Sequence, residues 1–249
     1  MHRLLLIALL LACEVLAGCA RSHSNHPDAP AAPPAPPIAR ASTPDTVPWY
    51  EPEILAFETL DLASPPAPGQ ALFIGSSSIR MWSSLSNDMG AIPVLNRGFG
   101  GSTTPDVLAV FDRIVRPYAP RVIVYYCGDN DLGTSNTDAD AAAQGFIAFD
   151  RRVRELWPAA PVLYISIKPS IARWSNWEAM SRANRIVRDY CERTDGPTFL
   201  DIASPMLGPD GTPDPSLFAS DGLHLNTRGY ETWTRVVRPA LERAWHDAD

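Results

Sequence analysis

The sequence has no run of basic residues anywhere, and its 249 residues carry a net charge of −7. A nucleic-acid partner is thereby disfavoured, because phosphate backbones are met by clustered Lys and Arg. It also lacks an apolar run long enough for a comfortable membrane span: the stretch from Leu4 to Leu11 covers less than half of the ~20 residues a spanning helix needs. Cysteine is scarce at four residues, too few for a disulfide framework to replace a hydrophobic core. With 45% hydrophobic and 20% charged residues, the chain can instead bury the core of one ordinary globular domain.

What is present begins with an export signal. His2 and Arg3 supply a short positive start, Leu4 to Leu11 the apolar stretch, and small residues lead to Cys19. Leu16-Ala17-Gly18-Cys19 resembles the lipobox of bacterial lipoproteins, which implies cleavage after residue 18 and lipid on Cys19. Cys13, closing "LLAC", is the poorer candidate, and a plain secretory signal with an incidental cysteine is the alternative. Ala20, after the lipidated position, implies by analogy with lipoprotein sorting the periplasmic face of the outer membrane. Residues 19–50, rich in Ala and Pro, cannot bury enough apolar surface to fold and are expected to form an extended tether. At about 3 Å per residue, roughly 30 residues hold a domain several nanometres from a bilayer.

From residue 51 onward, short β-rich runs alternate with longer helical patterns, the signature of successive βαβ units and a parallel sheet covered on both faces. Strands are expected at Ala71–Gly75, Ile92–Asn96, Arg121–Cys127, Pro161–Ile167 and Thr198–Asp201. Helical spacing occurs in "DVLAVFDRIV", "DADAAAQGFIAFDRRVRELW", "WEAMSRANRIVRDYCERT" and "NTRGYETWTRVVRPALERAW", the last capped by Asn226 or Thr227. Cys127 and Cys191 are the two cysteines left for the folded part, either as a disulfide or as separately buried thiols.

Ligands of open parallel sheets bind beyond the carboxyl ends of the strands, and four such ends carry polar chemistry. After "ALFI", Gly75 allows a tight turn and places a serine at a helix N-terminus, where N–H groups favour negative charge. "VLNRGFGGST" brings Gly98, Gly100 and Gly101, through which the backbone can approach a bound group. "CGDND" offers Asn130 as a side-chain N–H donor, with Asp129 and Asp131 making a thin case for a metal. "SDGLHLN" spaces Asp221 and His224 so that the acid can hold the imidazole in one tautomer.

In chain order these four blocks resemble the SGNH hydrolases, also called the GDSL-like esterase/lipase family. The resemblance implies a flavodoxin-like three-layer α/β/α sandwich with a five-stranded parallel sheet. It places Ser77 at the nucleophile, with Ser76 where the family usually has Asp and Ser78 as the alternative register. Asp221 and His224 complete the implied triad, and the N–H groups of Ser77 and Gly101 with the Asn130 amide form the implied oxyanion hole; Gly98 is the weaker choice. The implied reaction is ester hydrolysis through an acyl-enzyme, without metal or other cofactor, and with loss of rate in mild acid as His224 protonates.

The substrate is less constrained. Deacetylation of a carbohydrate or cleavage of a short-chain ester stands beside a lysophospholipase or thioesterase of the same family. A non-catalytic glycan-binding envelope lipoprotein and a phosphate binder using the two glycine turns are the other readings; the second lacks a P-loop lysine. Trp82, Trp174 and Trp177 either border the crevice or fill core gaps, and Lys168 and Arg173 either meet a negatively charged substrate or are solvated.

Overall fold

A computed structural model describes residues 47–133 and 138–248. The signal segment, Cys13, Cys19 and the tether as far as residue 46 lie outside the described residues.

Five parallel strands form one sheet: β1 (Ala71–Gly75), β2 (Val94–Gly98), β3 (Val122–Tyr126), β4 (Val162–Ile165) and β5 (Pro197–Leu200), in the order β2-β1-β3-β4-β5. The chain order reverses between β1 and β3, so those strand ends open the crevice in which such sheets bind ligands. β1 and β3 are buried along their whole length, as befits strands covered on both faces. Alternation divides their side chains between two cores. Ala71, Phe73, Val122 and Val124 face the side of α2 (Ser77–Arg80), α3 (Leu85–Asp88) and α8 (Thr227–Asp247). Leu72, Ile74, Ile123 and Tyr125 face α1 (Glu51–Ala63), α4 (Thr104–Ala109), α5 (Phe111–Ile114), α6 (Ala139–Leu156) and α7 (Trp177–Arg193). The result is a parallel sheet covered on both faces, as the alternating pattern predicts, and the three-layer α/β/α sandwich that the resemblance implies.

Three local features differ from the sequence expectation. β2 runs two residues later than Ile92–Asn96. Pro93 has no N–H to donate, and the register instead continues to Gly98 opposite Gly75. Arg97 can lie inside this strand because Asp61 and the Tyr118 hydroxyl take its guanidinium. The helix expected over "DVLAVFDRIV" breaks at Val110 into α4 and α5. α1 has no counterpart among the expected helices; Arg113 anchors it through Glu51 and Glu58 at 2.7 Å each, and Tyr50 before it packs edge-on against Phe99.

Other elements lie close to their patterns. Asn226 caps α8, accepting the Gly229 N–H at 3.1 Å. Trp82 is 2% exposed, stacked on Tyr230 and edge-on to Trp233, which makes it a core residue. Cys127 and Cys191 are both free thiols, the first buried and the second half-buried.

Candidate active site

Gly75 makes the first turn. A Cβ there would stand 1.8 Å from the Tyr126 carbonyl oxygen, and its φ of +150° is one that L side chains rarely adopt, so only glycine lets β1 turn so close to β3. Ser76 follows as N-cap and Ser77 opens α2. Ser78 points into the interior at 1% exposed, while its carbonyl accepts the Tyr230 hydroxyl at 3.0 Å, locking the turn onto α8. Because α2 is one turn long, attraction for an anion here comes from local N–H groups rather than from the dipole of an extended helix.

The Ser77 Oγ lies 3.0 Å from His224 Nε2, and His224 Nδ1 lies 2.6 Å from Asp221 Oδ2. The other Asp221 oxygen accepts the backbone N–H groups of Leu223 and His224, each at 2.9 Å. The hydrogen bond from His224, followed by those two N–H groups, pulls the Asp221 carboxyl down to about 2. It therefore stays ionised at neutral pH. With Nδ1–H donating to Asp221, the Nε2 lone pair faces the serine hydroxyl.

The glycine loop after β2 sits against this turn. Asn96 donates through Nδ2 to the Ile79 carbonyl at 2.7 Å and accepts the Gly98 N–H through Oδ1 at 2.9 Å. Phe99 N–H goes to the Gly75 carbonyl, and Gly100 N–H to the Glu53 carboxylate at 3.2 Å from each oxygen. The N–H groups of Gly98, Phe99 and Gly100 are thus engaged, whereas that of Gly101 donates to no acceptor among the described residues. Gly98 is thereby removed as a donor to anything bound.

Asn130 follows β3. Its Nδ2 donates to the Ser102 carbonyl at 2.9 Å, which places the amide beside the Gly101 loop, and its Oδ1 accepts from Arg173 Nη2 at 2.9 Å. The flanking carboxylates already have partners. Asp131 accepts the Thr104 N–H at 2.9 Å, and burial raises its carboxyl. Asp129 is 2.5 Å from the Nζ of Lys168, the one lysine in the chain, and 3.4 Å from Arg173. Burial opposes its charge, but those two cations outweigh burial and hold the carboxyl below its ordinary value.

Lys168 and Arg173 are thus neither solvated nor turned to a substrate; they are 1% and 18% exposed and point inward at Asp129. Trp174 and Trp177, half-buried, stack on each other at 5.8 Å between ring centroids. The links from Arg173 to Asn130 and from Glu53 to Gly100 carry no signal in the sequence, since each joins residues more than 40 positions apart in segments with no recognisable spacing.

Residues 75–232, more than half of the chain, match the model of the GDSL-like Lipase/Acylhydrolase family. Among curated proteins no match is found. The fold recurs in solved structures. A Streptococcus pneumonia protein provisionally named a platelet activating factor superposes with a TM-score of 0.69 at 21% identity, over 77% of this chain and 92% of its own. A GDSL-like lipase from Bacteroides thetaiotaomicron gives 0.65 at 20% identity, over 77% and 98%. A mutant of an acetyl-xylooligosaccharide esterase from Geobacillus Stearmophilus gives 0.55 at 17% identity, over 72% and 95%. At these identities the structures speak for the fold, and it is the family match over residues 75–232 that decides membership. The chain belongs to the GDSL-like lipase/acylhydrolase family.

Proposed function

We propose that the protein is a serine ester hydrolase in which Ser77 is the nucleophile, His224 the general base and Asp221 the group that orients and compensates the imidazole. The observation that carries this reading is the continuous chain of hydrogen-bonding distances, 3.0 Å from Ser77 Oγ to His224 Nε2 and 2.6 Å from His224 Nδ1 to Asp221 Oδ2. His224 takes the Ser77 proton as Oγ bonds to the ester carbonyl carbon. The resulting oxyanion is met by the N–H groups of Ser77 and Gly101 and by Asn130 Nδ2. The alcohol leaves with the proton from His224; water then attacks the acyl-enzyme by the same route, releasing the acid and restoring Ser77. Each proton moves between groups of the chain and the reactants, so the cycle draws on no cofactor.

The favoured substrates are neutral short-chain esters, including acetyl groups on carbohydrate. Lys168 and Arg173, which sequence position put near a negatively charged ligand, spend their charge on Asp129, and Arg80 beside Gly100 is paired with Glu53. That arrangement favours an uncharged ester over a lysophospholipid. Lipid anchorage through Cys19 on the periplasmic face of the outer membrane, with residues 19–50 as tether, is part of the same proposal and rests on the sequence of the first twenty residues.

Ser77→Ala is expected to lower hydrolysis of p-nitrophenyl acetate by at least about 10⁴-fold and to abolish labelling by a fluorophosphonate. Undiminished rates and labelling would remove Ser77 from the mechanism.

A further inference from the structure

The Asn130 amide can serve an oxyanion only one way round. Rotated by 180° it would present an acceptor oxygen where a donor is needed. Two contacts define its orientation: Nδ2 toward the Ser102 carbonyl and Oδ1 toward Arg173 Nη2, both at 2.9 Å. A carbonyl accepts and a guanidinium donates, so the two contacts select the same rotamer.

Arg173 is itself held in place. Its Nη1 donates to the Asp129 carbonyl at 2.7 Å, so the guanidinium fork grips two consecutive residues of the turn after β3. Gly133 leaves room for it: a Cβ there would stand 2.6 Å from the Arg173 Cζ. The neighbouring residue reaches the other half of the site, because the Ala172 N–H donates to the Gly222 carbonyl at 3.0 Å, inside the Asp221–His224 turn. The segment Ile171–Arg173 therefore touches both the Asn130 turn and the Asp-His turn, which are about 90 residues apart in sequence.

From this geometry we infer that Arg173 is a positioning residue for ester hydrolysis, fixing the Asn130 amide with its N–H toward the developing oxyanion without touching substrate. The inference rests on the proposed role of Asn130. Removing Arg173 leaves Asp129 paired with Lys168, so the buried carboxylate keeps a counter-charge and the fold is expected to survive. A lysine at 173 keeps the charge but cannot reproduce the fork across Asp129 and Asn130.

The test is a double-mutant cycle with p-nitrophenyl acetate, with thermal melts on every variant. Asn130→Ala should lower kcat by about 10²–10³-fold, the loss of one oxyanion donor. Arg173→Gln and Arg173→Lys should each lower kcat by roughly 10-fold or more with KM within about 2-fold, since the oxyanion forms only in the transition state. In the Asn130→Ala background either change should cost less than about 3-fold more, because the group that it orients is gone. Losses that multiply, or a raised KM with kcat unchanged, overturn the inference and give Arg173 a separate role. An activity-independent arm uses the side-chain ¹⁵N–¹H pair of Asn130 in Ser77→Ala protein. Arg173→Lys should shift it, and unchanged resonances overturn the positioning role whatever the rates. A shift of this kind on Arg173→Lys, together with a wild-type chain that hydrolyses no ester, would sink the proposed function and leave the orientation of Asn130 by Arg173 standing.

Discussion

His224 Nδ1 lies 2.6 Å from Asp221 Oδ2, three residues away on one tight turn, while two backbone N–H groups hold the second carboxylate oxygen. The acid is thus fixed by the chain that carries the base. Asp221→Asn keeps the shape but can turn an N–H toward Nδ1, favouring the tautomer whose Nε2 carries a proton and cannot accept from Ser77. A fall in kcat of about 10⁴-fold is expected, measured on a short-chain aryl ester at neutral pH.

The pH dependence follows from the same carboxylate. Its folded value of about 2 lies below the ordinary ~3.9 of an aspartate, so it is ionised throughout pH 4–9. The acid limb of kcat/KM above about pH 4 should therefore have unit slope, with no proton contributed by Asp221; a slope of two would bring in a second group. For stability the sign is that of a depressed acid: the contribution is present above about pH 4 and lost as pH falls toward 2. Asp221→Asn should flatten that part of the melting-temperature profile.

Gly75→Ala tests the turn ahead of Ser77. The added methyl would meet the Tyr126 carbonyl, which is backbone and cannot swing aside. A cost of about 3 kcal/mol or more is expected, lowering the melting temperature by roughly 6–12 °C in a chain of this size. An alanine variant melting with the wild type would show that β1 and β3 can separate at this point.

The thiols give an independent check on the fold. Burial raises the Cys127 thiol far above its ordinary value and the Cys191 thiol to about 12, which suppresses the reactive thiolate. With Cys13 and Cys19 replaced by Ser, the native protein should react slowly with a thiol reagent at pH 8 and yield two thiols on denaturation without reductant. No thiols under those conditions would mean a disulfide.

Local pattern was enough for much of the architecture. Short runs such as Val122–Tyr126, apolar at every position and made of β-branched and aromatic residues, read as strands buried on both faces, and the 3.6-residue spacing in Ala139–Leu156 and Trp177–Arg193 marks helices packed by one side. The Asp221–His224 turn was legible because both partners lie within four residues. The limits of β2 were not, because whether Arg97 can enter a sheet depends on Asp61, 36 residues earlier.

The sequence by itself determined the alternation of strands and helices, membership of the family, and which side chains could carry chemistry, since these depend on residue type and short spacing. Only the tertiary structure decided which loop N–H is left over for a ligand, and that Lys168 and Arg173 turn inward to Asp129 and Asn130. Those outcomes depend on competition between hydrogen-bonding groups tens of residues apart, and no local spacing records which partner wins.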